Sequence, residues 1–141
     1  MKVAVRYYTK GGNTAKVAEA IATAVNEEAQ SVSVPLSEPV DILFLGGSVY
    51  AFAIDPAIEA FVEKLNASTV KAAAVFSTSA ISKSGNSKLE KLLVKKGIKV
   101  LMPAFYCRGE FKRMRKGHPN AQDLESAAAF AAKALQAAKQ G

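Results

Sequence analysis

Five short apolar runs alternate with four stretches of helical periodicity along this chain, and that alternation leaves few folds open. Val3-Ala4-Val5-Arg6-Tyr7 reads as a strand broken by Gly11-Gly12. From Asn13 or Thr14 onward, Val17, Ala18, Ile21, Ala22 and Val25 fall on one helical face. A brief strand from Ser31 to Val34 stops at Pro35. Ile42 to Leu45 is a continuous apolar run ending in Gly46-Gly47, the pattern of a strand covered on both faces. Ile54, Ile58, Phe61, Val62 and Leu65 mark a second amphipathic helix, with Asp55 and Pro56 as its start signal. Val70 to Phe76 is the next strand. Leu89, Leu92 and Leu93 then lie on a basic helix that Gly97 terminates. The fifth strand, Ile98 to Phe105, contains Pro103, which has no N–H to donate and so predicts a sheet edge or a bulge. Asn120 and Asp123 cap a final helix whose apolar face carries Leu124, Ala127, Ala128, Ala131 and Leu135.

Strands alternating with helices connect by right-handed crossovers, so the expected fold is α/β: a parallel sheet between two helical layers. The 141 residues suffice for one domain over 1–141, and half of them are hydrophobic, enough for a core without covalent staples. The single Cys107 cannot form an intrachain disulfide, and with His118 as the only histidine there is no Cys/His metal-ligand set. The longest uncharged stretch, Ile42 to Ile54, is too short to span a bilayer, and no secretory signal follows Met1-Lys2. The expectation is a cytoplasmic protein with no membrane insertion. Charge is unevenly spread. Between Leu65 and Asn120 there are 12 Lys/Arg against two acids, Glu90 and Glu110, whereas the whole chain carries only +7. A surface that positive favours acidic partners or nucleic acid, or serves only as a solvated face.

In open parallel sheets, ligands bind beyond the carboxyl ends of the strands, near the point where strand order reverses. The informative segments are therefore the strand-to-helix turns. In the first, Tyr8-Thr9-Lys10-Gly11-Gly12-Asn13-Thr14, two glycines permit a tight bend in which successive N–H groups converge on an anion. The helix beginning there offers its unsatisfied donors and positive dipole end. Thr9 and Thr14 add hydroxyls, Asn13 an amide and Lys10 a charge. The plainer alternative is a glycine turn capped by Thr or Asn. A Walker loop is excluded by the missing Gly-Lys-Ser/Thr, and a dinucleotide fingerprint by the missing G-x-G-x-x-G; a mononucleotide remains.

Thr9-Lys10-Gly11-Gly12-Asn13-Thr14 resembles the phosphate loop of the flavodoxin family, roughly Thr/Ser-x-Thr/Ser-Gly-x-Thr, matching it at Thr9, Gly12 and Thr14. Gly11 replaces a hydroxyl residue, so one phosphate hydrogen bond is absent unless Lys10 compensates. The Cys107-Arg108-Gly109-Glu110 strand end and the His118-Pro119 lead-in are more similar to a flavodoxin-domain subgroup than to the short acidic flavodoxins. The resemblance spans essentially the whole chain. It implies a five-stranded sheet in the order 2-1-3-4-5, flavin mononucleotide (FMN) as cofactor, and electron transfer between protein partners.

The same resemblance assigns the other two loops. Ser48-Val49-Tyr50-Ala51-Phe52 would wrap the isoalloxazine, with Tyr50 stacked on the ring and Phe52 in reserve. The alternative for Phe52 is a place in the core. The Gly46-Gly47 pair ahead of this loop leaves room for a ligand or simply makes a turn. Ser77-Thr78-Ser79-Ala80 would contact the pyrimidine edge and ribityl chain. Many flavodoxins carry an acid and a tyrosine there; this chain has neither, which leaves the second ring face open or covered by a partner. Basic residues Lys83, Lys88, Arg108, Lys112, Arg113, Arg115 and Lys116 fall on the same end of the implied sheet. A unit charge about 10 Å from the ring is worth roughly 1.7 kcal/mol at an effective dielectric near 20, which implies a less reducing flavin than the acidic relatives hold.

Other chemistries find little support. Gly46-Gly47-Ser48-Val49-Tyr50 lacks the last glycine of a nucleophile elbow, and strands 1 and 3 end without the aspartates of a phosphoacceptor domain. Two readings stay open beside the electron carrier. One is an FMN-dependent oxidoreductase of the quinone or protoporphyrinogen type. The other is a flavin-free basic module binding nucleic acid or an acidic protein through Arg108 to Lys116. The carrier reading implies an acidic redox protein partner rather than nucleic acid, and a monomer or weak dimer.

Overall fold

A computed structural model describes residues 1–9, 11–48, 54–79, 84–108 and 117–140. Five strands and four helices follow in the order β1 (Val3–Tyr8), α1 (Asn13–Ala24), β2 (Ala29–Ser31), β3 (Val40–Ser48), α2 (Pro56–Glu63), β4 (Val70–Ser79), α3 (Ser84–Lys95), β5 (Lys99–Arg108) and α4 (Ala121–Gln140). The strands form one all-parallel sheet in the order β2-β1-β3-β4-β5.

Successive side chains on a strand point to opposite faces, and the core divides accordingly. Ile42, Phe44, Ala72, Ala74 and Phe76 face one layer, where they meet Val17, Ala18 and Ile21 of α1 and Ala127, Ala131 and Ala134 of α4. Leu43, Leu45, Ala73 and Val75 face the other, against Ile58, Phe61 and Val62 of α2 and Leu89 and Leu93 of α3. Both faces of β3 and β4 are thus covered, which explains their unbroken apolar runs. Small alanines on the inward stripe of α4 let that helix lie close to the sheet, and Phe130 beside them packs edge-on to Phe44 with ring centroids 6.0 Å apart.

The structure departs from the sequence reading at the strand ends. The second strand pairs through Ala29 to Ser31, not Ser31 to Val34. Ser31 to Val34 is a turn, closed by Val34 N–H donating to Ser31 O at 2.9 Å. Buried Arg6 holds it there, donating from Nε to Val34 O (2.9 Å) and from Nη2 to Pro35 O (3.3 Å). Burial lowers the guanidinium's pKa from its ordinary value. β3, β4 and β5 each run about three residues further than their apolar runs predict, because the ladders continue through Gly46-Gly47-Ser48, Ser77-Thr78-Ser79 and Tyr106-Cys107-Arg108. Pro103 satisfies both expectations. β5 is an edge strand, and between the pairs Ala74↔Leu101 and Phe76↔Phe105 two steps on β4 match four on β5. That bulge leaves Met102 68% exposed and breaks an edge that would otherwise be open to further pairing.

Candidate functional site

The chain crosses from β1 outward to β2 and then returns to place β3 on the other side of β1, so strand order reverses between β1 and β3. The carboxyl ends of four strands reach the same level there: Tyr8 pairs with Gly47, Ser48 with Thr78, and Thr78 with Cys107.

The turn out of β1 is organised around one backbone conformation. Gly12 has φ 90° and ψ −8°, a left-handed geometry that a side chain would strain. It is the N-cap of α1, with its carbonyl accepting from Lys16 N–H at 3.2 Å, and as a glycine it has no side chain of its own to cap the helix. Thr9 instead holds the bend from within, its Oγ1 accepting from Gly12 N–H at 2.9 Å. A Cβ added at Gly11 or Gly12 would meet none of the described residues within 4 Å. The first turn of α1, opened by Asn13, contains no acid that would offset its positive dipole end.

Thr14 is fully buried, and its Oγ1 lies 2.9 Å from Oγ1 of Thr78, itself 1% exposed. This hydrogen bond ties the start of α1 to the end of β4, joining two of the three expected binding segments. The two side chains act as a brace between the loops. Sequence spacing gave no signal of it, since the two residues are 64 positions apart. On the opposite face of β4, Ser77 Oγ is buried and has no hydrogen-bond partner among the described residues. Buried hydroxyls are normally satisfied, so this atom marks an unmet contact at the same end of the sheet.

Gly46 and Gly47 do not form a turn. Both are buried within β3, and the space they leave is filled from inside: a Cβ on Gly46 would strike the Phe76 ring, and one on Gly47 the Ile58 side chain. The room expected there for a ligand is taken by the protein's own core. Ser48 and Ser79 are the last residues of β3 and β4. Lys10, Val49, Tyr50, Ala51, Phe52 and Ala80 lie outside the described residues, as do Lys83, Lys112, Arg113, Arg115 and Lys116.

After β5, His118 lies in the loop that leads into α4. Its Nδ1 lies 2.7 Å from Asp123 Oδ2, an oxygen that also accepts from Asn120 N–H at 2.9 Å. Burial, with Asp123 adding a smaller effect, pushes the Cys107 thiol up to about 12, so at neutral pH it is protonated and a poor nucleophile.

A sequence model of the flavodoxin domain matches residues 4–119. The chain belongs to the flavodoxin-domain family. Solved structures agree at the level of fold. An archaeal flavodoxin superposes on this flavodoxin-domain protein with a TM-score of 0.82 at 19% identity, covering 99% of each chain. Oxidised Flavodoxin 2 from Bacillus cereus gives 0.74 at 18% identity, over 96% of this chain and 99% of its own. The rubredoxin oxygen:oxidoreductase of Desulfovibrio gigas gives 0.77 at 16% identity, over 99% of this chain but 36% of its own. No curated protein matches the chain. Among the described residues, no helix is long and apolar enough to cross a membrane.

Proposed function

We propose that this flavodoxin-domain protein binds FMN at the carboxyl ends of β1, β3 and β4 and transfers electrons to or from an acidic protein partner. The observation that carries the reading is the left-handed Gly12 at the start of α1. With Thr9 holding the bend, it sets the N-terminal end of a helix in a glycine turn where an added Cβ would meet none of the described residues within 4 Å, an arrangement suited to a phosphate monoester.

The residues present fit such a group. Backbone donors of the Thr9–Thr14 turn would hold the phosphate dianion. The Thr14–Thr78 bond keeps that turn at a constant distance from the β4 end, and so from the segment that would meet the ribityl chain. The Ser77 hydroxyl, without a partner among the described residues, offers a donor or acceptor to a polar edge lying against β4. FMN, when bound, supplies one- and two-electron chemistry. The protein's part is to bind, orient and shield the ring, and none of these tasks needs a dedicated acid–base pair.

Titration of apoprotein with FMN, followed by quenching of flavin fluorescence, tests the reading. FMN is expected to bind much more tightly than riboflavin, which lacks the phosphate. Gly12→Ala, which forces a Cβ into the left-handed region, should weaken FMN binding about tenfold, the equivalent of about 1.4 kcal/mol. Equal affinity for the two flavins, or none for either, would reject it.

A further inference from the structure

The outward face of α3 is unusual for a surface helix. Lys88, Lys91 and Lys95 are exposed and fall at i, i+3 and i+7, one stripe along the helix. The stripe is about 10 Å long. Val94 stands beside it and is 62% exposed. The helix has a single acid, Glu90, which is half-buried and lies about 100° round the axis from Lys91.

Solubility alone does not call for this pattern. Solvated helices gain from opposite charges three or four residues apart, whereas like pairs such as Lys88/Lys91 and Lys91/Lys95 repel each other. Lys95 is compensated, since a cation in the last turn opposes the helix dipole. Lys88 and Lys91 lack that benefit, and among the described residues none of the three forms an ion pair. Other lysines do: Lys2 with Glu38 at 2.7 Å, Lys71 with Asp41 at 3.3 Å and Lys96 with Glu63 at 3.7 Å. Next to this stripe, which makes no ion pair among the described residues, sits an exposed aliphatic side chain, an apolar point with a polar rim, which is how protein interfaces are commonly built.

We propose that Lys88, Lys91 and Lys95, with Val94 beside them, form a docking face for an acidic protein surface. The inference rests on the partner-dependent reading above and locates the partner. α3 starts five residues after β4 ends, so the stripe runs from the site end of the sheet down its flank. A protein held there would sit against the edge of the flavin site. The chemistry favours protein over nucleic acid. The face presents lysine point charges and an aliphatic contact, without the arginine forks that grip phosphates or the aromatic rings that stack bases.

Dye-labelled poly-L-glutamate serves as the acidic probe, with fluorescence anisotropy read on the full chain without added flavin, so that a failure to bind FMN does not affect the result. Binding is expected at about 0.01 M ionic strength and should weaken sharply by 0.15 M, as the Debye length falls from about 30 to 8 Å. Lys88→Glu with Lys91→Glu should lower affinity about tenfold. Lys133→Glu with Lys139→Glu, on the exposed side of α4, makes the same net charge change and should alter it less than twofold. Lys88→Gln with Lys91→Gln should give an intermediate loss, and circular dichroism checks that all variants fold. Amide shifts on titration should centre on residues 88–95. Equal losses in the α3 and α4 variants, shifts centred elsewhere, or tighter binding of a DNA duplex through the same lysines would overturn the proposal. If FMN still binds in that case, the cofactor reading stands alone.

Discussion

Gly46 and Gly47 are neighbours in β3, yet their missing side chains make room for different groups. Gly46 points into the α1/α4 layer, where a Cβ would meet the Phe76 ring and lie 2.6 Å from the Phe76 carbonyl oxygen. Gly47 points the other way, against the Cδ1 end of Ile58. A backbone oxygen in a central strand cannot move aside, whereas the tip of an isoleucine can rotate. Gly46→Ala should therefore destabilise the fold by about 3 kcal/mol and Gly47→Ala by about 1 kcal/mol. Urea unfolding of the two variants measures the difference; equal costs would mean that β3 itself shifts to absorb the methyl. Two adjacent glycines ahead of a helix read naturally as a turn. The neighbours that make them packing residues lie 30 positions along the chain in one case and 11 in the other, beyond the reach of local pattern.

Among the elements, helix starts were legible because their chemistry is local. Asp55 caps α2, its Oδ1 accepting from Ala57 N–H at 2.9 Å, with Pro56 in the first turn where no N–H is needed. Asn120 and Asp123 form a reciprocal box at α4: Asp123 N–H donates to Asn120 Oδ1 and Asn120 N–H to Asp123 Oδ2, each at 2.9 Å. Asn120→Ala removes one arm and should cost about 1 kcal/mol, read as a lower urea midpoint with unchanged slope. No loss would show that the remaining contacts of Asp123, to His118 and to the residue-120 N–H, secure this helix end. Strand ends were less legible. Apolar patterning marks where a strand is buried, but pairing continues through the glycines and hydroxyl residues at the site end of the sheet. β2 was misplaced for a related reason. Its three half-buried residues carry little apolar signal, while buried Val32 lies just beyond the ladder.

At the scale of the whole molecule, the fold brings the β1–α1 turn and the β4 end together. A ligand that binds only this assembled arrangement stabilises the folded state. FMN at 100 times its dissociation constant should add about 2.7 kcal/mol, raising the melting temperature by roughly 10 °C. Riboflavin at the same concentration should give a much smaller rise in a thermal scan. Matching shifts would count against the phosphate-holding turn, as equal affinities would.

The sequence by itself determined the element types, their order and the composition of the first turn, because periodicity, capping and glycine conformation act over a few residues. The match of residues 4–119 to the flavodoxin domain accords with the resemblance read in that turn. Only the tertiary structure decided which groups face each other across long separations. It set Thr14 against Thr78, filled the gaps beside Gly46 and Gly47 from the core, left Ser77 Oγ without a partner among the described residues, and closed the turn after β2 with Arg6. Such contacts depend on strand register and on how closely the layers pack, and no local run of residues encodes either.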